Sequence, residues 1–216
     1  PEPAPTPPPT PAPACPQPAP QTSLLPETDI VFVLDTTGSM YGEIESLKRE
    51  LHILIQVLER MMPSVGIGVV TFNDRLQQPP ARHHPLRGLT NDDDAIRDIN
   101  RFLRSISVTD AQGPNDDIAE AVLIALQVAV GTSFREHVQH RIVIVITDAY
   151  AYDDEVAATL RLAQGFARGE GQRISTVHVR DSSDAEEYLQ ALAQAGGGEF
   201  VPDRGSILAN VLLGIL

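Results

Sequence analysis

The sequence predicts an α/β fold: a doubly wound, mainly parallel central sheet with helices on both faces and one antiparallel edge strand. Three observations predict it. The segments at 29–34 (DIVFVL) and 141–147 (RIVIVIT) are continuous apolar runs without the alternation of a half-exposed strand, as expected of strands buried on both faces. The segments between strands carry apolar residues at spacings of three and four, the mark of helices with one buried stripe. Strands and helices alternate along the chain, which argues for parallel pairing with crossover helices. In such sheets ligands bind in the crevice beyond the carboxyl ends of the strands.

In chain order, residues 1–26 read as a tail and 27–216 as one folded domain. The first twenty residues are about half proline and almost free of large apolar groups, so they cannot bury enough surface to fold. As polyproline II, at about 3.1 Å per residue, this tail could hold the domain about 60 Å from an anchor. A PxxP ligand for an aromatic-lined groove is its second reading. The chain opens without an initiator Met, and processing or truncation upstream of Pro1 is expected. Cys15 follows no apolar run, so an incidental exposed thiol is expected rather than a lipidation site.

Strand 29–34 belongs mid-sheet. Ile44, Leu47, Leu51, Leu54, Leu58 and Met61 then mark an amphipathic helix. A second strand, VGIGVVTF (65–72), precedes LQQPPARHHPL, whose prolines only an edge strand or a loop would tolerate. Ile96, Ile99, Leu103 and Ile106 mark the next helix, opened by NDDDAIRD (91–98), an N-cap with a solvated acidic first turn. Ile118, Val122, Ala125, Leu126 and Ala129 mark a helix over 118–130. RIVIVITD (141–148) repeats the plan of the first strand and RISTVHV (173–179) is a third parallel strand. Helices are expected over 185–195 and 206–216, on either side of a short strand at 198–201. There is no internal repeat.

Composition narrows function. With 16 Lys+Arg against 29 Asp+Glu, the formal charge of −13 repels nucleic-acid phosphate and anionic membrane surfaces. One cysteine excludes an internal disulfide framework and a multi-thiolate zinc site. No apolar stretch is long enough to span a bilayer. The paired His83-His84 and the His137-x-x-His140 spacing are of metal-compatible types, but adjacent histidines point apart; solvated histidines are expected.

Both central strands deliver an aspartate, Asp35 and Asp148, to the carboxyl edge of the sheet. If the strands are neighbours, the carboxylates converge. Thr37 and Ser39 follow at i+2 and i+4, in a turn that Gly38 is expected to allow, and their hydroxyls can face one point. Oxygen-only ligands of modest charge suit a hard cation such as Mg²⁺, which takes about six oxygens near 2.1 Å.

These residues resemble the von Willebrand factor type A (vWA) domains of bacterial type, with their metal-ion-dependent adhesion site (MIDAS), over about residues 27–216. DTTGS (35–39) matches the first signature, Asp-x-Ser/Thr-x-Ser, at each required position. GPNDDIAEAV (113–122) is similar to a degraded Gly-rich second signature, with Asp117 and Glu120 in its acidic places and Pro114, Asn115 and Ala119 departing from it. ITDAYAYDD (146–154) resembles the third, with Asp148 in the ligand place. The resemblance implies a Rossmann-like fold and hydroxyl ligands from Thr37 and Ser39. It also implies Asp35 and Asp148 bound mostly through water, and one oxygen from the second loop, at Asp117 or its neighbour Asp116. The implied ion is Mg²⁺, with Mn²⁺ or Ca²⁺ as alternatives. The implied partner is a protein that donates a Glu or Asp carboxylate to the open coordination position. Three aspartates put −3 against +2, which strengthens metal binding and weakens capture of a partner carboxylate.

Each residue also has a plainer role open to it. Asp117 with Glu120 forms a capping-box pattern, Thr37 or Ser39 could cap the next helix, and Asp148 could simply end a strand. Catalysis is not expected. Thr37 stands where a haloacid-dehalogenase phosphatase needs a second aspartate, Ser39 lacks the G-x-S-x-G elbow, and no phosphate-binding glycine loop occurs. The expectations in order are a metal-dependent protein-binding module, a scaffold whose metal site is structural or vestigial and which binds through another surface, and a metal-dependent hydrolase. The acidic, disulfide-free composition fits a periplasm or cell surface, which is the expectation, and equally a cytosolic complex.

Overall fold

The computed structural model describes residues 26–108, 119–180, 183–202 and 209. The proline-rich tail, Cys15, the segment containing Asp116, Asp117 and Ile118, and the 206–216 helix, apart from residue 209, lie outside the described residues. Strands and helices alternate as expected: β1 (Thr28–Asp35), a 3-10 turn (Gly38–Gly42), α1 (Ile44–Met61), β2 (Val65–Phe72), β3 (Ala81–Gly88), α2 (Asp93–Ser105), β4 (Ala119–Glu120), α3 (Val122–Val130), β5 (His140–Thr147), β6 (Tyr150–Ala151), α4 (Asp153–Phe166), β7 (Gln172–His178), α5 (Ser183–Ala195) and β8 (Gly197–Val201).

Six strands form one sheet in the order β3-β2-β1-β5-β7-β8, and β4 pairs with β6 in a separate two-stranded ribbon. All pairings in the main sheet are parallel except β2 with β3. The strand that carries proline is thus the antiparallel edge strand. Pro85 falls where the register between β2 and β3 shifts, so its missing N–H interrupts no regular ladder bond.

The two central strands sort their side chains by size. In β1 and β5, Ile30, Phe32 and Leu34 lie beside Ile142, Ile144 and Ile146, and pack with Leu47, Leu51, Leu54 and Leu58 of α1 and Ile99 and Leu103 of α2. The intervening Val31, Val33, Val143 and Val145 face the other side, against Val122, Ala125, Leu126 and Ala129 of α3, Ala163 of α4 and Leu189 and Leu192 of α5. Small residues on α3 let it approach a valine-lined face closely. Each buried aliphatic side chain contributes about 1.5–3 kcal/mol, so both layers are held chiefly by these stripes.

Several elements differ from the sequence expectation. At the end of α1, Met61 is 55% exposed, whereas Ile55 and Met62 are buried, because the chain leaves the helix extended at Met62 and turns that side chain inward. The helix expected from residue 118 starts at Val122; Ala119 and Glu120 are instead a strand paired with Tyr150 and Ala151. Glu120 therefore precedes the helix, and its capping-box role is not realised: the N-cap is Ala121, without a side-chain bond. Asp92 does cap α2, accepting from the Ala95 amide at 2.8 Å. Helix α4 is not among the expected elements, although Val156, Leu160, Ala163 and Phe166 recur at helical spacing and pack on the core, all but Ala163 only partly buried. Its signal is the acidic first turn, Asp153, Asp154 and Glu155.

At the amino edge of the sheet, Asp29 is completely buried and held by Arg135, whose Nε donates to Oδ1 at 2.6 Å and whose backbone amide donates to Oδ2 at 2.7 Å. Arg135 also donates to Ser64 Oγ and to the Thr28 carbonyl, tying β1 to the β2 and β5 approaches. Gly66, opposite Asp29 in β2, makes room for this pair: a Cβ there would lie 2.3 Å from Asp29 Oδ1 and 2.9 Å from Arg135 Nε. Removing one partner strands a buried charge, so Arg135→Met is expected to cost about 3–5 kcal/mol in urea denaturation. Gly66→Ala is expected to destabilise through the same pair.

Candidate metal centre

Strand order places the site. β1 runs on to α1 and β2 on one side, and the chain later returns through α3 to β5 on the other, so the topological switch lies between β1 and β5. The crevice beyond their carboxyl ends is where this class of sheet binds ligands. Asp35 is the last residue of β1 and Asp148 the first after β5, and the expectation that the two strands are neighbours holds.

Asp35 has no exposed surface. Its Oδ1 accepts from the Thr37 amide at 2.9 Å and from Thr37 Oγ1 at 2.6 Å, and its Oδ2 accepts from Thr147 Oγ1 at 2.6 Å. Thr147 Oγ1 accepts in turn from the Ala149 amide. Thr36 anchors the loop from the other side, its amide and hydroxyl both donating to the Phe72 carbonyl at the end of β2. Thr37 is the N-cap of the 3-10 turn by position, but its hydroxyl makes no cap bond; it turns to Asp35 instead. Ser39 does not cap either: its Oγ lies 3.1 Å from Thr37 Oγ1 and donates to Asp148 Oδ1 at 2.8 Å. Asp148 is therefore more than a strand terminus. Gly38 has an ordinary φ and open space around its Cβ position, so glycine is not sterically required there, contrary to expectation.

The four side chains form a continuous oxygen chain, Asp35–Thr37–Ser39–Asp148, with a shortage of protons. Three contacts join them, yet the two hydroxyls carry one proton each. When those protons point at the carboxylates, the Thr37 and Ser39 oxygens face each other with lone pairs only. Two acids and two hydroxyls so arranged fit a hard cation. Among the described residues, no group of three or more His, Cys, Asp and Glu side chains could hold a metal ion.

Burial raises the Asp35 carboxyl to about 6, opposed by the bonds from Thr147 and Thr37 and assisted by the charge of Asp148. Asp148 has its own cation: Arg180 Nη1 lies 3.6 Å from its Oδ2 and donates to the Ser39 carbonyl. Arg180 takes a left-handed backbone, φ 67°, two residues beyond the end of β7. Asp117, the second-loop candidate, lies outside the described residues. Its flank is described: Ala119 pairs with Tyr150, and the Ala121 amide donates to the Asn73 carbonyl beyond β2.

Two residues of this cluster escaped the sequence reading. Thr147 sits directly before Asp148 in ITD, and Arg180 follows RISTVHV, the strand beside β5; topology is the signal that would have found both. His83 and His84 stand apart from the site, on the edge strand β3. His83 is exposed as expected, but His84 is half buried against Phe102, and burial lowers its pKa.

The von Willebrand factor type A domain family matches residues 29–204. No curated protein sequence matches the chain. Among solved structures, the chain is similar to the conserved hypothetical protein BatB from Bacteroides thetaiotaomicron, at 21% identity and TM-score 0.61, over 87% of this chain and 96% of that one. It is similar to the pilus adhesin SpaC from Lactobacillus rhamnosus GG, at 12% identity and TM-score 0.62, over 88% of this chain and 29% of the adhesin. It also resembles proximal thread matrix protein 1 from the mussel byssus, solved with a zinc-occupied MIDAS motif, at 17% identity and TM-score 0.56, over 88% and 46% of the two chains. At these identities the likeness concerns the fold.

The buried Asp35 carboxyl sets a pH dependence for the ion-free protein. The unfolded chain releases this proton near 3.8 and the folded chain near 6, so the folded state binds the extra proton between those values. Its contribution to stability therefore falls as pH rises from about 4 to about 6 and is level above, by about 3 kcal/mol in all. Urea denaturation in chelator across that range should show wild type losing this increment relative to Asp35→Asn.

Proposed function

Because the chain belongs to the von Willebrand factor type A domain family, we propose that its carboxyl-edge crevice is a divalent-cation site and that the protein is a metal-dependent protein-binding module, of the kind used in adhesion or assembly. The observation that carries the reading is the oxygen chain from Asp35 to Asp148, with one proton too few for its contacts. Asp35, Thr37, Ser39 and Asp148 would hold the ion, with Asp117 supplying the second-loop oxygen. Support for Asp117 comes from its neighbours, since Ala119 pairs with Tyr150, two residues past Asp148. Mg²⁺ suits this all-oxygen set, with Mn²⁺ and Ca²⁺ as alternatives. Bound there, the ion would supply a hard positive centre for a Glu or Asp carboxylate of a partner protein. Tyr41, in the same turn as Ser39, is 75% exposed and offers an aromatic anchor beside that contact.

The reading is one of binding, not catalysis, and it accords with the relatives named as an adhesin and a matrix protein. Among the described residues no helix is long and apolar enough to cross a membrane. We place the module at the cell surface or in the periplasm, in keeping with the adhesin relative. A second reading has one observation in its favour: Arg180 already sets a positive charge at Asp148. On that reading the site is structural or vestigial, and the partner docks elsewhere.

Calorimetric titration of Mg²⁺, Mn²⁺ and Ca²⁺ into chelator-stripped protein separates the two. One-to-one binding is expected for wild type, with loss of at least about tenfold in affinity for Ser39→Ala and Asp117→Ala. Partner capture by the wild type should then disappear in chelator and in Asp35→Ala. Capture that survives both would favour the second reading.

A further inference from the structure

Arg180 is not among the residues that resemblance or strand periodicity assigned to the site, yet it makes two contacts inside it. Its Nη1 lies 3.6 Å from Asp148 Oδ2 and donates to the carbonyl of Ser39, while Ser39 Oγ donates to the other oxygen of the same aspartate. The guanidinium thus closes a small ring through two of the residues that would ligate the ion. Its side chain is 51% exposed, whereas that of Asp148 is 8% exposed, so the arginine reaches inward from the rim to a carboxylate that the fold has largely buried. It does so from a backbone with φ 67°, a conformation that few residues other than glycine adopt.

Resting on the cation-site reading above, we propose that Arg180 is a tethered counter-cation that sets the affinity of the site for its ion. Without the ion, its charge balances Asp148 and its hydrogen bond holds the Ser39 turn in place. A divalent ion that draws on Asp148 competes with the guanidinium for the same carboxylate and is repelled by it at close range. The arginine therefore keeps the ion-free crevice from collapsing or repelling itself and weakens ion capture in the same act.

The test is titration of Mg²⁺ into the chelator-stripped protein by calorimetry, with wild type beside Arg180→Gln and Arg180→Lys, and melting temperatures with and without the ion. Arg180→Gln is expected to bind Mg²⁺ about tenfold more tightly, the scale of a charge contact at a half-exposed position doubled by the ion's valence. Arg180→Lys should stay near wild type. In chelator, Arg180→Gln should melt below wild type, and saturating Mg²⁺ should raise its melting temperature by the larger amount. A Gln variant that binds no more tightly than wild type, or that loses no melting temperature in chelator, overturns the proposal and leaves the cation site standing. A Lys variant that binds as tightly as Gln also overturns it, because charge would then not be the cause. Absence of Mg²⁺ binding by all three overturns the cation-site reading together with this one.

Discussion

The parallel pairing of β1 with β5 is the constraint on which the rest of the structure depends. Seven residue pairs, from Thr28 with His140 to Leu34 with Ile146, are in register. That register decides three things at once. It aligns large apolar residues on one face and valines on the other, and so determines which helices can pack where. It brings Thr147 within 2.6 Å of Asp35, and it sets Asp148 against Ser39. A slip of one residue would exchange the two faces and separate the aspartates.

The two ends of β1 show one strand solving the same electrostatic problem in two ways. Asp29 and Asp35 are both completely buried. Asp29 meets a guanidinium directly, so its charge is matched in the folded chain. Among the described residues Asp35 meets only hydroxyls and an amide, and burial drives its carboxyl upward despite them. The amino end is thereby a finished clamp, while at the carboxyl end Arg180 meets Asp148 and, among the described residues, no cation meets Asp35. A buried carboxyl without a counter-charge, in the crevice of a switch point, accords with the cation site proposed above.

The strand plan was legible because central strands are apolar on both faces, as DIVFVL and RIVIVIT are, and because proline betrays an edge. Asp35, Thr37, Ser39 and Asp148 were legible as a set because strand ends are readable and the spacing of hydroxyls after Asp35 is distinctive. What escaped depended on tertiary neighbours. The β4–β6 ribbon is two residues long on each side. Thr147 is indistinguishable in sequence from any strand threonine until β1 lies beside it. Arg180 enters through a left-handed backbone that no local pattern announces.

The pairing of β1 with β5 also has a consequence in time. The hydroxyl that caps Asp35 Oδ2 lies 112 residues further along the chain. During synthesis, β1 emerges first and must wait for helices α1 to α3 and three further strands before its central partner exists. Such long-range parallel pairing is slow, because loop closure precedes the contacts that reward it. Until β5 docks, Asp35 stays solvated and ionised and β1 offers an unpaired apolar edge. The switch-point crevice is thus among the last features the nascent chain can assemble, and a truncated chain ending before residue 147 would present the DTTGS segment without the half of the crevice that β5 provides.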